Sequence, residues 1–356
     1  VPRIDFTNDT KGHLLLEPQS TNLITYSEDF SQSSWIKLGA GTGSVAVVTS
    51  NYAISPEGTQ NASRLQCNLN GGSTTSDQSL IYDLDATNST KTISVYMKSN
   101  NSQNQTIYFT NTFTGDSTDE AVVTTQWQRF TFTHSTSNHT FSLGLRGGTG
   151  ADDIADILIF AAQAEALSFP TSYIPTSGSS ATRNIDVCDV SNVSDVPTSY
   201  PFVINIEAYH TLNNNNGAIG FYDNSNQYYY YAIQFLDNKV LAVSRPQGIT
   251  QNNLLSSSTY TEGFHKIAVL YENDTTMKLY VNGQLQGTKI DCVNNSFNTA
   301  FSDYIIGVIR SISTNPCNIK NVKIFNTGLT DGELYLLTVP QYQSYQAMAT
   351  ALNYTS

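Results

Sequence analysis

Residues 264–287 read FHKIAVLYENDTTMKLYVNGQLQG, and this stretch decides the fold. Lys266 to Tyr271 alternates, with Ile267, Val269 and Tyr271 on one face and Lys266, Ala268 and Leu270 on the other, the period of two that a strand requires. A polar turn, Glu272 to Thr276, follows, and Met277 to Val281 alternates again. Asn282-Gly283 then closes a hairpin, because both residues tolerate the positive φ that a two-residue type I′ turn demands. Gln284-Leu285 begins a return strand. The stretch therefore predicts a three-stranded meander, with His265 at its mouth.

The composition extends this reading to the whole chain. Its 356 residues suggest about two domains. Charged residues make up only 13%, against about 25% in ordinary globular proteins. Abundant Asn, Ser, Thr, Gly and Tyr suit strands and polar loops, and 39% hydrophobic residues suffice for real cores. With 17 Lys and Arg against 29 Asp and Glu, the net charge is −12. Nucleic acid is thereby a poor partner, since its phosphates need neutralising cations, and no basic stripe stands out. The longest apolar run, Ile157 to Ala162, has strand length and falls far short of the roughly 20 residues of a membrane span, so no membrane insertion is expected. The chain starts at Val1 without a signal-peptide pattern, as a processed product or a piece of a longer protein would.

The predicted class is all-β: two tandem β-sandwich (jelly-roll) domains with a short C-terminal helix. The predicted division is a leader (1–20), a first sandwich (21–169), a linker (170–198), a second sandwich (199–339) and a helical tail (340–356). Short strand candidates punctuated by Gly, Asn, Ser and Asp fill 21–169, among them Ala62 to Cys67, Lys91 to Lys98, Gln126 to Thr133 and Asp156 to Ala162. Pro170, Pro175, Pro197 and Ser177-Gly178-Ser179-Ser180 mark the linker. Arg183-Asn184-Ile185-Asp186 echoes Arg3-Ile4-Asp5, which predicts that leader and linker pair. In the second sandwich the strands include Phe202 to Ala208, Tyr228 to Leu236, Val240 to Ser244 and Cys317 to Phe325. A helical turn at Gly332 to Leu337 is predicted to be capped by Thr330 or Asp331. In the tail, Tyr342, Tyr345, Met348 and Leu352 share a helical face, and docking on a neighbouring subunit or the second sandwich is expected.

Two resemblances sharpen the picture. "HKIAVxY…MKLYVNG", with "KIFN…LTDGEL" near the end, resembles the laminin-G/pentraxin group of concanavalin-A-like jelly rolls. That group mostly binds glycans or proteins, though its fold also hosts enzymes. "LLLEPQ", "TNLITYSEDFSQSSW", "QWQRF" and "ADILIFAAQAEALSFPTSYIPTSGSSATR" together resemble a module of tailed-bacteriophage head-fibre and tail-fibre proteins, itself similar to carbohydrate-binding jelly rolls. The module usually has a bulkier aromatic at Phe160-Ala161 and Gly-Ser at Ala166-Leu167. The resemblance implies core positions for Trp35 and Trp127. It also implies a structural Ca²⁺ between first and last strands, for which Glu28 and Asp156 are the candidates. The alternative for both is an ordinary solvated or hydrogen-bonded loop carboxylate. In the second sandwich Asp223, Asn224 and Asp291 are weaker candidates. The laminin-G resemblance further implies a Cys292–Cys317 disulfide, leaving Cys67 and Cys188 as free thiols.

No catalytic residue is assigned. HExxH, GxSxG and Walker loops are absent, as is the strand-borne Glu-x-Asp-x-x-Glu of jelly-roll glycanases. A glycosidase needs two facing carboxylates, for which pairs such as Glu207 with Glu262 are the enzymatic candidates. Sugar stacks on exposed rings beside fixed polar groups, and Tyr222, Asp223, Asn224, Tyr228 and Tyr230 offer that mix. Ordinary strand packing is the competing reading.

The expected function is a non-enzymatic phage virion fibre or adhesin protein. It would attach to host-surface polysaccharide or protein, or decorate the capsid or tail among other virion proteins. A homo-oligomer at the virion surface is expected. The alternative is a secreted accessory glycan-binding region of a polysaccharide-degrading enzyme. A third reading makes the second sandwich itself a lyase or glycanase.

Overall fold

The computed structural model describes residues 3–6, 10–85, 89–112, 120–136, 139–186, 188–191, 197–211, 215–223, 228–245, 251–292, 303–307 and 317–340. Strands dominate throughout, with one helix among the described residues. The chain divides into two compact units, residues 19–184 and residues 1–18 with 185–356.

In the first unit, one five-stranded sheet runs Glu120–Val123, Gln105–Thr112, His139–Arg146, Gln78–Asp85, Ile36–Ala40. The other runs Gln128–Thr136, Ser89–Ser99, Ile154–Glu165, Ala62–Asn68, Val47–Ala53. Alternation builds the core between them: Ile93, Val95 and Met97 all point inward from one strand. Phe30 and Phe141 pack on Trp35, with ring centres 4.9 and 5.3 Å away. The strand Ile154–Glu165 slips register after Phe160, where Ala161 takes a φ of 57°. This bulge turns Phe160 and Ala161 to the outer face while Ile159 and Ala162 stay in the core. Trp127 lies half-buried against that outer cluster, not in the core, whereas Trp35 is a core residue.

A two-stranded pairing, Ser20–Asn22 with Ala181–Arg183, closes the unit. Asn22 is fully buried and uses its whole amide. Its Nδ2 donates to the carbonyls of Ala162 and Ile174, and its Oδ1 accepts from the backbone of Ile24 and Ala164.

In the second unit, a seven-stranded sheet runs Arg3–Asp5, His13–Leu16, Cys317–Phe325, Phe202–His210, Gly263–Tyr271, Met277–Val281, Gln284–Lys289. A six-stranded sheet runs Cys188–Ser191, Asp303–Ile306, Asn216–Asp223, Tyr228–Leu236, Lys239–Ser244, Asn252–Leu255. Their facing sides form a core of Ile, Val, Phe and Tyr, in which Tyr271 is fully buried and donates its hydroxyl to the Val243 carbonyl at 2.9 Å.

The leader is thus strand-paired into this unit. Its Arg3 pairs with Glu17 at 2.8 Å and with Asp186, whose backbone N–H donates to the Glu17 carbonyl. Asp186 is the point at which the linker echo meets the leader.

The predicted meander forms, with Lys278 opposite Leu270 and Val281 opposite Ile267. Asn282 and Gly283 have φ of 51° and 78°. Asn282 Oδ1 accepts from the Lys266 backbone N–H, and its Nδ2 donates to His265 Nδ1. His265 Nε2 faces the Thr261 carbonyl at 2.9 Å and must donate there, so the imidazole is the neutral Nε2–H tautomer. The helix Asp331–Thr338 starts on a Thr330/Glu333 capping box and buries Leu334 against the outer side of the hairpin. The tail expected beyond Pro340 lies outside the described residues.

The predicted Cys292–Cys317 bridge is corrected by the structure, in which Cys292 is a free, buried thiol. Its backbone N–H bonds to Thr275, at the Tyr271–Met277 end of the hairpin. Cys317 opens its strand opposite Leu16, near the other end of the sheet and three strands away from Met277–Val281. Three strand spacings alone come to roughly 14 Å, and a disulfide needs Cα atoms within about 7 Å.

Candidate functional site

The first unit holds a polar cleft of about 440 Å³. Three segments meet there: Tyr26 to Ser31 after the first short strand, Ser50 and Asn51 on the edge strand, and Pro175 to Ser177 before the closing strand. Asn61 completes the wall. Each segment is fixed from behind. The Trp35 indole donates to the Tyr26 carbonyl at 2.8 Å, and Tyr26 bridges to Ser177. Asn51 takes a φ of 52° within a register shift between the paired strands, which re-aims the edge strand.

The two carboxylates of the cleft are held differently. Asp29 accepts from the Ser31 amide and hydroxyl, from Gln32 and from Ser50. Burial alone would raise its pKa, but those hydrogen bonds outweigh it and hold the acid below the ordinary aspartate value. Glu28 accepts from Asn61 at 3.0 Å and from the Tyr173 hydroxyl at 3.0 Å. Burial pushes the Tyr173 phenol up, with hydrogen bonding from Ser27 opposing and nearby Glu28 adding to the rise. Lys37 donates to the Ser31 and Gln32 carbonyls and interacts electrostatically with Asp29. Hydroxyls, amides and a carboxylate edge thus face a volume within the usual range of ligand sites.

Glu28 therefore belongs to this cleft, but the structure gives it a different partner set from the expected calcium site. Asp156 does not join it. Both Asp156 oxygens bind Arg64, at 2.8 and 2.5 Å, and Asn100 adds a third bond. The Arg64 hydrogen bond is the chief reason the Asp156 pKa is lowered. A guanidinium stands where a cation ligand set needs oxygen, so the residues around Asp156 do not fit Ca²⁺. Among the described residues no group of three His, Cys, Asp or Glu side chains could hold a metal. Asp291 pairs with Lys289 at 2.7 Å.

Tyr222, Asp223, Tyr228 and Tyr230 fall on one hairpin of the six-stranded sheet, with Tyr222 opposite Tyr229 and Asp223 opposite Tyr228. Asn224 lies outside the described residues. The next residue, Tyr231, is buried and hydrogen-bonds Tyr200 at 2.9 Å. Glu207 and Glu262 have separate partners, Lys320 at 3.9 Å and the Tyr209 hydroxyl at 3.2 Å. Asn51, Asn61, Pro175 and Thr176 escaped sequence reasoning.

Residues 189–334 match the family model of the concanavalin A-like lectin/glucanases superfamily, of the laminin-G type. That stretch is a lectin-like β-sandwich. No curated protein matches the chain. Among solved structures, the chain is similar to a carbohydrate-binding module (CBM40) of the Ruminococcus gnavus IT-sialidase, at 16% identity, TM-score 0.33, covering 40% of this chain and 84% of that one. It is also similar to the binding domain of botulinum neurotoxin DC in complex with rat synaptotagmin II, at 14% identity and TM-score 0.36, covering 43% of this chain and 40% of that one. The chain spans about two fifths of that neurotoxin binding domain.

Proposed function

We propose that this chain is a non-enzymatic glycan-binding protein that takes a hydroxyl-rich saccharide in the polar cleft of the first unit. The observation that carries the reading is the cleft itself: donors and acceptors converge from three segments beside the rings of Tyr26 and Pro175, all locked from behind. A sugar needs fixed polar partners for its hydroxyls and an apolar edge for its C–H face. A hydrolytic reading needs an acid kept protonated near neutral pH, and Asp29 is displaced the opposite way.

The lectin-like second unit and the fibre-module motifs of the first support placing this binding in a virion fibre or adhesin. There it serves attachment to host-surface polysaccharide, with copy number in a homo-oligomer multiplying a modest affinity. A glycan array with the intact chain, beside Asn51→Gly and Glu28→Gln, tests this. Asn51→Gly removes an amide while keeping the positive φ. Selective glycan binding lost in both variants is expected. Binding that neither variant changes, or release of reducing ends from the bound glycan, overturns it.

A further inference from the structure

The outer face of the seven-stranded sheet carries a second cleft, of about 560 Å³. Strand register lays its floor. Asn321, Glu207 and Lys266 sit side by side on three neighbouring strands, and Lys323, Asn205 and Ala268 form the next row. The register slips between Glu207 and Ala208, so Lys320 is the extra residue of a bulge. A bulge brings successive side chains to one side of a sheet, and the Lys320 ammonium lies 3.9 Å from the centre of the Phe264 ring and 3.9 Å from Glu207. Lys11, in the turn of the leader hairpin, and the end of the helix wall the cleft.

The charge balance here is inverted. The chain carries 17 basic and 29 acidic residues, yet among the described residues lining this cleft four are lysines and one is a carboxylate. Lys266 also donates to the Val339 carbonyl at 3.3 Å, so part of its role is to close the helix.

We infer that this cleft binds an acidic polysaccharide through carboxylates carried on its sugars. The lysines span three strands, roughly 10 Å, which exceeds one small anion and suits charges recurring along a chain. The exposed Asn321 amide between them can bond sugar hydroxyls. The acidic remainder of the protein opposes a polymer as densely charged as nucleic acid. This site lies on a different unit from the polar cleft and does not rest on it.

The test titrates the intact chain with polygalacturonate fragments, using a neutral galactan as control. The acidic polymer is expected to bind, with affinity falling several-fold between about 50 and about 200 mM salt. Lys11→Glu with Lys323→Glu should weaken it by about tenfold or more, because both charges reverse on the cleft rim. Lys98→Glu, a charge reversal in the first unit outside the polar cleft, should leave it unchanged, so failure here is distinguishable from failure of the polar-cleft reading. Unchanged thermal melting of each variant guards against misfolding. Binding indifferent to the Lys11/Lys323 pair overturns the proposal. So does tighter binding of phosphatidylglycerol vesicles or duplex DNA that the same pair abolishes, since the occupant is then not a polysaccharide.

Discussion

The two clefts of this protein are built by opposite means. In the first unit, loops and an edge strand converge, and the carboxylates are held by internal hydrogen bonds: Asp29 alone takes four. In the second unit, one face of a sheet collects lysines from strands distant in sequence. The first arrangement fixes geometry and suits a neutral ligand read by hydrogen bonds. The second creates a field and suits a charged ligand held with little geometric demand. The two should therefore respond to different perturbations.

Removing a support should hurt the first cleft most. Trp35→Ala deletes a fully buried ring and the donor to the Tyr26 carbonyl, and should cost about 3–5 kcal/mol. Hydrogen exchange should show loss of protection across residues 19–184 and little change in 199–292. An equal loss in both units would break the separation.

In the second unit, Asn282→Ala should cost about 1–3 kcal/mol. It puts Ala at a φ of 51° and leaves the Lys266 N–H and His265 Nδ1 without their turn partner. Denaturant unfolding followed in that hairpin checks this. Thr330→Ala should remove about 1 kcal/mol by stripping the helix cap, loosening the helix that walls the lysine cleft. Thermal melting and acidic-polymer affinity should fall together.

As pH falls below about 6.5 the first loss of stability should be graded and arise in the second unit, with the lowered Asp29 and Asp156 of the first unit contributing only in stronger acid. Burial depresses the pKa of His210 and of His265, and each folded pKa lies below its unfolded value. Their contribution to stability is complete above about pH 6.5 and is lost as pH falls through the depressed folded values. His265→Gln should flatten that part of a stability–pH profile, while the first unit stays unaffected.

Legibility followed sequence distance. The stretch from Phe264 to Gly287 declared itself, because alternation and an Asn-Gly turn are local signals. The strands Tyr228–Leu236, Met277–Val281 and Cys317–Phe325 have their predicted bounds for the same reason. Ile36–Ala40 was missed, since its Lys-Leu-Gly-Ala pattern becomes a strand only through pairing with Gln78–Asp85. Glu28 was singled out from the sequence, but its chemistry depends on Asn61 and Tyr173, which lie 33 and 145 residues away. No basic stripe was visible, because Lys11, Lys266, Lys320 and Lys323 gather only through sheet order and a bulge. The expected disulfide failed on the same ground: proximity in the last strands of a domain says nothing about which end of a sheet a cysteine occupies.

The central claim is that the polar cleft of the first unit takes the saccharide. Hydrogen–deuterium exchange of the intact chain, with and without the best glycan from the array, tests it most directly. Protection should rise in the backbone around Tyr26 to Ser31, Ser50 to Asn61 and Ile174 to Ser177, and nowhere else in residues 19–184. Protection confined to the Asn216–Leu236 hairpin of the second unit, with these three segments unchanged, would contradict the account.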